Sequence, residues 1–149
     1  MITSDQINKS VTCASLTELD AYAKHVASVV SEGGVIALQG QLGAGKTTFT
    51  KFLAAHLGVK TMIVSPTFTV IQEYPLKDRR TLYHLDLYRL RQPEELVELG
   101  IDDLFEEDRS SIILIEWPEM ILDKLPKNAL LLEFTVQDEE TRVITVKKI

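Results

Sequence analysis

Apolar residues recur along the chain with two different periods, and the switches between them outline its elements. "KSVTCAS" (9–15) reads as a short leading strand. Ser15 and Glu18 then stand at the Ser-x-x-Glu spacing of a capping box, in which two side chains satisfy backbone amides at a helix start. Leu19, Tyr22, Ala23, Val26 and Val30 follow at helical spacing until Gly33-Gly34 stops the helix. "VIALQG" (35–40) is a continuous apolar run, the pattern of a strand covered on both faces. Beyond a glycine-rich loop, Phe49, Phe52, Leu53 and Leu57 form one helical stripe that Gly58 ends.

In the second half, the segments around Thr69–Tyr74 and Thr81–Tyr88 read as two strands joined by the polar turn "LKDRR". Pro93 and "EELVELG" predict a short helix, followed by the acidic stretch "DDLFEED". "SIILIE" is a second buried strand, and Pro118 opens a short helical piece. "ALLLEFTVQ" and "TRVITVKKI" alternate as a closing hairpin over "DEE". Strand, helix and strand in alternation predict an α/β fold, a mixed, mainly parallel sheet flanked by helices with antiparallel strands added.

Composition narrows the class. A chain of 149 residues without a Pro/Gly/Ser-rich linker or repeat is expected to form one domain over residues 1–149. A net charge of −6 argues against a broad nucleic-acid surface, which needs clustered Lys and Arg. The longest apolar runs are far shorter than a membrane span, and the N-terminus lacks a positive segment followed by an apolar one. Cys13 is the only cysteine, so no intramolecular disulfide or cysteine-rich metal site forms. A cytoplasmic location without membrane contact is the expectation.

The glycine loop carries the chemistry. Gly40-Gln41-Leu42-Gly43-Ala44-Gly45-Lys46-Thr47 matches G-x-x-x-x-G-K-[ST] at every fixed position. Glycines let the backbone curl so that successive N–H groups point at phosphate oxygens, and the following helix adds its positive end. Lys46 would reach the β- and γ-phosphates, and the Thr47 hydroxyl would take a position on Mg²⁺; Thr48 lies just outside the motif. A chance match in a turn is the bland alternative, but the apolar strand before the loop and the amphipathic helix after it are the context the motif requires.

Such a site also needs a carboxylate at the end of a neighbouring strand. Glu116 ends "IILIE" and Asp86 lies within "YHLDL", and the residues alone leave both open. Each could instead be a solvated strand end or a cap. His84 shares a strand face with Asp86, and a lone histidine there reads as structural, with no catalytic role. Trp117 reads as a core-rim residue. "SPTFT" (65–69) is either a strand lead-in or a loop that closes on the γ-phosphate. Arg79, Arg80, Arg89 and Arg91 fit a solvated turn and strand end as well as a phosphate or RNA contact.

"GQLGAGKTT", "SPTFTVIQEY", "HLDLYRL", "EELVELGIDD" and "LIEWPE", in this order, closely resemble the TsaE (YjeE) family over about residues 12 to 145. That family is the ATPase component of bacterial tRNA threonylcarbamoyladenosine biosynthesis. The resemblance implies a compact P-loop fold that binds ATP and Mg²⁺, with Thr47 and Glu116 as metal ligands. It implies phosphate contacts from Gly43, Ala44, Gly45, Lys46, Thr47 and Thr48, and a switch-like loop containing Thr67. Lys46, Glu116 and Asp86 would serve activity, Trp117 would lie by the nucleotide, and Ser15 would approach the adenine. It also implies slow solitary hydrolysis within a complex with TsaD and its scaffold paralogue TsaB, tRNA being met only through that complex, with ATP turnover resetting the complex between cycles. Slow turnover suits a chain in which neither an arginine finger nor a water-positioning Gln is identifiable in sequence. Two other P-loop classes stand beside this reading. A small metabolite kinase would need an arginine-bearing lid, for which "LKDRR" is the one short candidate. A GTP-dependent switch would be expected to carry N-K-x-D after the loop, and the sequence has none.

Overall fold

Strand Ile112–Glu116 is buried at all five positions, and it forms the centre of the molecule. A strand of continuous apolar character suits this place, because both faces of a parallel sheet are covered. The computed structural model describes residues 9–64, 69–107 and 109–147. In chain order the elements are β1 (Ser10–Cys13), α1 (Leu16–Val29), β2 (Gly34–Gln39), α2 (Lys46–His56), β3 (Ile71–Pro75), β4 (Thr81–Asp86), α3 (Pro93–Glu98), α4 (Ile101–Glu107), β5 (Ile112–Glu116), β6 (Leu130–Val136) and β7 (Arg142–Lys147). Short 3-10 turns cover Lys77–Arg79 and Pro118–Lys124.

All seven strands form one sheet in the order β1-β7-β6-β2-β5-β4-β3. The central four, β6, β2, β5 and β4, run parallel. Strand β7 adds antiparallel to β6 and β3 antiparallel to β4, as the hairpin patterns predicted, and the leading strand β1 adds antiparallel beyond β7.

Alternation along the strands divides the core in two. Ile112 and Leu114 of β5 face α1 and α2, meeting Leu19, Val26, Phe49 and Leu53. Ile113 and Ile115 face the other layer, which holds Leu96, Ile101, Ile121 and Leu125. Glu116, next in the alternation after Leu114, therefore points to the α2 side at the carboxyl edge of the sheet.

Local signals decide the helix ends. The Glu18 amide donates to Ser15 Oγ at 3.2 Å, and Glu18 Oε2 accepts from the Ala14 amide at 2.6 Å, one residue earlier than in a standard box. At the end of α2, Gly58 takes φ 94° while its amide bonds Ala55 O and the Val59 amide bonds Ala54 O. These are the two bonds of a Schellman cap, and its left-handed position favours glycine. One stretch with no predicted element gains one, and one predicted strand end moves. The acidic stretch after α3 is a helix, α4, because Ile101, Leu104 and Phe105 pack on the sheet at helical spacing. Strand β4 stops at Asp86, two residues before Tyr88, where the Tyr88 amide turns back onto Asp86 Oδ1 at 3.0 Å.

Candidate functional site

The carboxyl ends of β2, β4 and β5 deliver the predicted residues to one edge of the sheet, the edge where open α/β folds bind ligands. The loop leaves β2 with positive φ at Gly40 (154°), Gly43 (80°) and Gly45 (98°). Gly45 then caps α2 in the left-handed region, so Lys46 opens the helix. An N-terminal turn of this kind presents backbone amides that no helical carbonyl can satisfy. Gly40 is needed for space as well, since a Cβ there would lie 2.7 Å from Phe134 O on the neighbouring β6.

Lys46 is buried, unusual for a lysine, and its ammonium donates to Gly40 O while sitting 3.3 Å from the centroid of the Trp117 ring. Burial pushes its pKa down, against the opposing pull of Glu116, Glu119 and Asp86. Trp117 adopts φ 58° and ψ 60°, a left-handed conformation costly for a bulky residue, about 1–3 kcal/mol. That turn places its indole against Lys46 and against Tyr88, whose ring centroid is 4.8 Å away.

Both carboxylates lie beside this cation. Asp86 and Glu116 are register partners at the ends of β4 and β5. The Thr47 hydroxyl donates to Glu116 Oε1 at 3.3 Å, and His84 Nε2 lies 2.6 Å from Glu116 Oε2. Two hard oxygen donors, one neutral and one anionic, thus share one point beside a phosphate-type loop. Such a pair suits Mg²⁺, which takes one or two protein oxygens and completes its shell with phosphate and water. Among the described residues no group of three or more His, Cys, Asp or Glu could hold a metal ion by itself. A site shared with a phosphate ligand is the kind this arrangement fits.

A cleft of about 770 Å³ runs across these groups, within the range of small-ligand sites. Of the residues singled out from sequence, Ser15, Gly43, Gly45, Lys46, Thr47, Thr48, Asp86, Glu116 and Trp117 line it. Ala44 is in the loop but fully buried beneath it, its amide donating to Gln41 O at 3.1 Å. Thr67 lies outside the described residues. Ser15 does two things at once: its oxygen caps α1 and its side chain borders the cleft.

Several cleft residues had no signal in the sequence. Arg142 reaches the loop from β7, with Nη1 donating to Asp138 O at 2.8 Å and Nη2 to Gly43 O at 3.5 Å. Only the sheet order brings β7 near the loop. Tyr88 also lines the cleft, from within the "HLDLYRL" stretch two residues past the end of β4. The "LKDRR" segment is at the wrong edge for a lid: it joins β3 to the start of β4, at the opposite edge from Asp86. Arg80 there donates to the Ser31 and Ser110 carbonyls, a structural clamp.

A sequence model of the family described as "Threonylcarbamoyl adenosine biosynthesis protein TsaE" matches residues 13–144. The chain belongs to the TsaE family. A tRNA threonylcarbamoyladenosine biosynthesis protein TsaE from Bacillus subtilis is 40% identical over 128 residues, 86% of this chain and 78% of the relative. The Rickettsia bellii TsaE is 33% identical over 141 residues, covering 94% and 95%. The crystal structure of Bacillus subtilis YdiB superposes with a TM-score of 0.73 at 35% identity, covering 96% of this chain and 88% of that one. The TsaE family match runs from the last residue of β1 into the first half of β7 and takes in the loop and the strands between them. Among the described residues no helix is long and apolar enough to cross a membrane.

Proposed function

We propose that this TsaE-family chain binds ATP with Mg²⁺ in the cleft and hydrolyses it slowly by itself. In this reading it acts in the cytoplasm with TsaD and TsaB to support threonylcarbamoyladenosine formation on tRNA, ATP turnover resetting that complex. The observation that carries the ATP reading is the meeting of Thr47 with Glu116 beside Lys46, a nucleotide-type constellation built from the first turn of α2 and the end of β5. Family membership supplies the link to tRNA modification.

The residues divide the work by chemistry. The amides of the loop and the start of α2 would bind phosphate oxygens, and Lys46 would exchange Gly40 O and the Trp117 ring for a phosphate. Thr47 and Glu116 would hold Mg²⁺, which when bound offsets negative charge on the phosphates. Asp86, in register with Glu116, would orient water or take a proton at its carboxylate. Ser15 and Leu16, which line the same cleft, would border the base.

Calorimetric titration with ATP and GTP analogues, with Mg²⁺ and with chelator, tests this directly. Saturable, Mg²⁺-strengthened binding with preference for the adenine nucleotide is expected. No saturable heat with either nucleotide would remove the ATP reading.

A further inference from the structure

His84 is fully buried on β4, between Leu82 and Asp86 on the face that meets α2. Its neighbours are mixed: Leu82 two residues back and Leu114 opposite on β5 are apolar, while Gln72 opposite on β3 and Asp86 two residues on are polar. At a place so fully buried, an apolar side chain of similar size would leave no polar atom to pair. The imidazole instead leaves Nδ1 buried without a hydrogen-bond partner among the described residues. A buried polar atom without a partner is rare enough to call for a reason.

The reason lies at the other nitrogen. Glu116, as a carboxylate, only accepts, so His84 Nε2 carries the hydrogen in their 2.6 Å bond. That bond occupies Oε2 and leaves Oε1 as the oxygen turned to Thr47. His84 itself does not line the cleft, so whatever it does there passes through Glu116.

We propose that His84 is a positioning residue for the metal: its Nε2–H fixes the Glu116 carboxylate so that Oε1 and the Thr47 hydroxyl face one point. This rests on the reading of Glu116 as a Mg²⁺ ligand. Hydrogen-bond partners of a ligating carboxylate typically change metal affinity by about 10–100-fold when lost. Gln at this position keeps an amide N–H at the reach of Nε2, whereas Leu fills the space without a donor, and Asn is one methylene shorter than Gln.

The test is ATP-analogue binding by calorimetry in chelator and across a Mg²⁺ series, with thermal melting of each variant. For His84→Leu, nucleotide affinity in chelator should stay within about 2-fold, while the Mg²⁺ concentration for half-maximal strengthening rises about 10–100-fold. His84→Gln should restore that midpoint to within a few-fold. Should His84→Leu not fold, His84→Asn carries the same comparison against His84→Gln. A wild-type Mg²⁺ midpoint in the donor-less variant overturns the proposal. So does an equal loss with and without Mg²⁺ accompanied by a lower melting temperature, which is what a plain core residue would give. If the unmodified protein binds nucleotide but ignores Mg²⁺, the metal reading of Glu116 fails and the role of His84 falls with it.

Discussion

Thr47 and Glu116 lie 69 positions apart in sequence, yet the hydroxyl of one donates to the carboxylate of the other at 3.3 Å. The bond exists because β2 and β5 are adjacent and parallel, so the loop after β2 opens beside the last residue of β5. Removing either oxygen should act on the metal and not on the fold. Thr47→Ala and Glu116→Gln are each expected to raise the Mg²⁺ requirement for nucleotide binding at least ~10-fold, since direct ligands matter no less than their outer partners. A Mg²⁺ titration of nucleotide affinity measures this; an unchanged midpoint in both variants excludes this pair as the metal site.

Lys46 and Trp117 make a built-in reporter. Trp117 is the only tryptophan, and the Lys46 ammonium rests on its ring. Binding of phosphate should draw the cation off the indole, a contact worth about 0.5–2 kcal/mol. Tryptophan emission should therefore change on adding ATP. Lys46→Met should abolish nucleotide binding and with it that change, while the melting temperature stays close to the parent's.

Gly40 and Gly43 should respond differently to an added methyl group. At Gly40 a Cβ would meet Phe134 O at 2.7 Å, whereas at Gly43 nothing lies within 4 Å and only the φ of 80° resists. Gly43→Ala is expected to cost about 1–2 kcal/mol for the left-handed backbone. Gly40→Ala must also displace β6 backbone and should lose more. Each kcal/mol corresponds to about 2–4 °C in melting temperature at this chain size. Equal melting temperatures for the two variants would show that the contact with β6 yields freely.

Tyr22 sets an alkaline limit on stability. Burial, and secondarily the neighbouring Cys13, push its phenol up from 10.0 to about 12. The folded state therefore favours the neutral phenol. Its contribution is complete below pH 10 and is lost as pH rises through 12. Denaturant midpoints should fall more steeply between pH 10 and 12 in the parent than in Tyr22→Phe, which keeps the ring and removes the proton. Parallel curves would show that Tyr22 does not ionise with unfolding.

What could be read from sequence is what neighbouring residues decide. The run Ile112–Ile115, the Ser15–Glu18 cap, the Gly58 stop and the glycine loop each depend on a few adjacent positions, and each appears where expected. Helix α4 shows the weakness of reading by character: five acidic residues among 102–108 drew attention from Ile101, Leu104 and Phe105 at helical spacing. The carboxylates were visible as strand ends, but their relation was not, because register between β4 and β5 is a property of the sheet. The same register aligns Asp86 with Glu116, and the sheet brings His84 within reach of the Glu116 carboxylate. Arg142 had no local signal at all; β7 reaches the loop only because β6 pairs with β2.

The central claim is that this cleft turns over ATP in service of a tRNA-modifying partnership. ATP hydrolysis with and without purified TsaB and TsaD tests it most directly, using Lys46→Ala to subtract background. The expected result is slow Mg²⁺-dependent turnover by the chain alone and a clear rise, through a complex of all three proteins, when both partners are added. Unchanged turnover, with no complex formed, would contradict it.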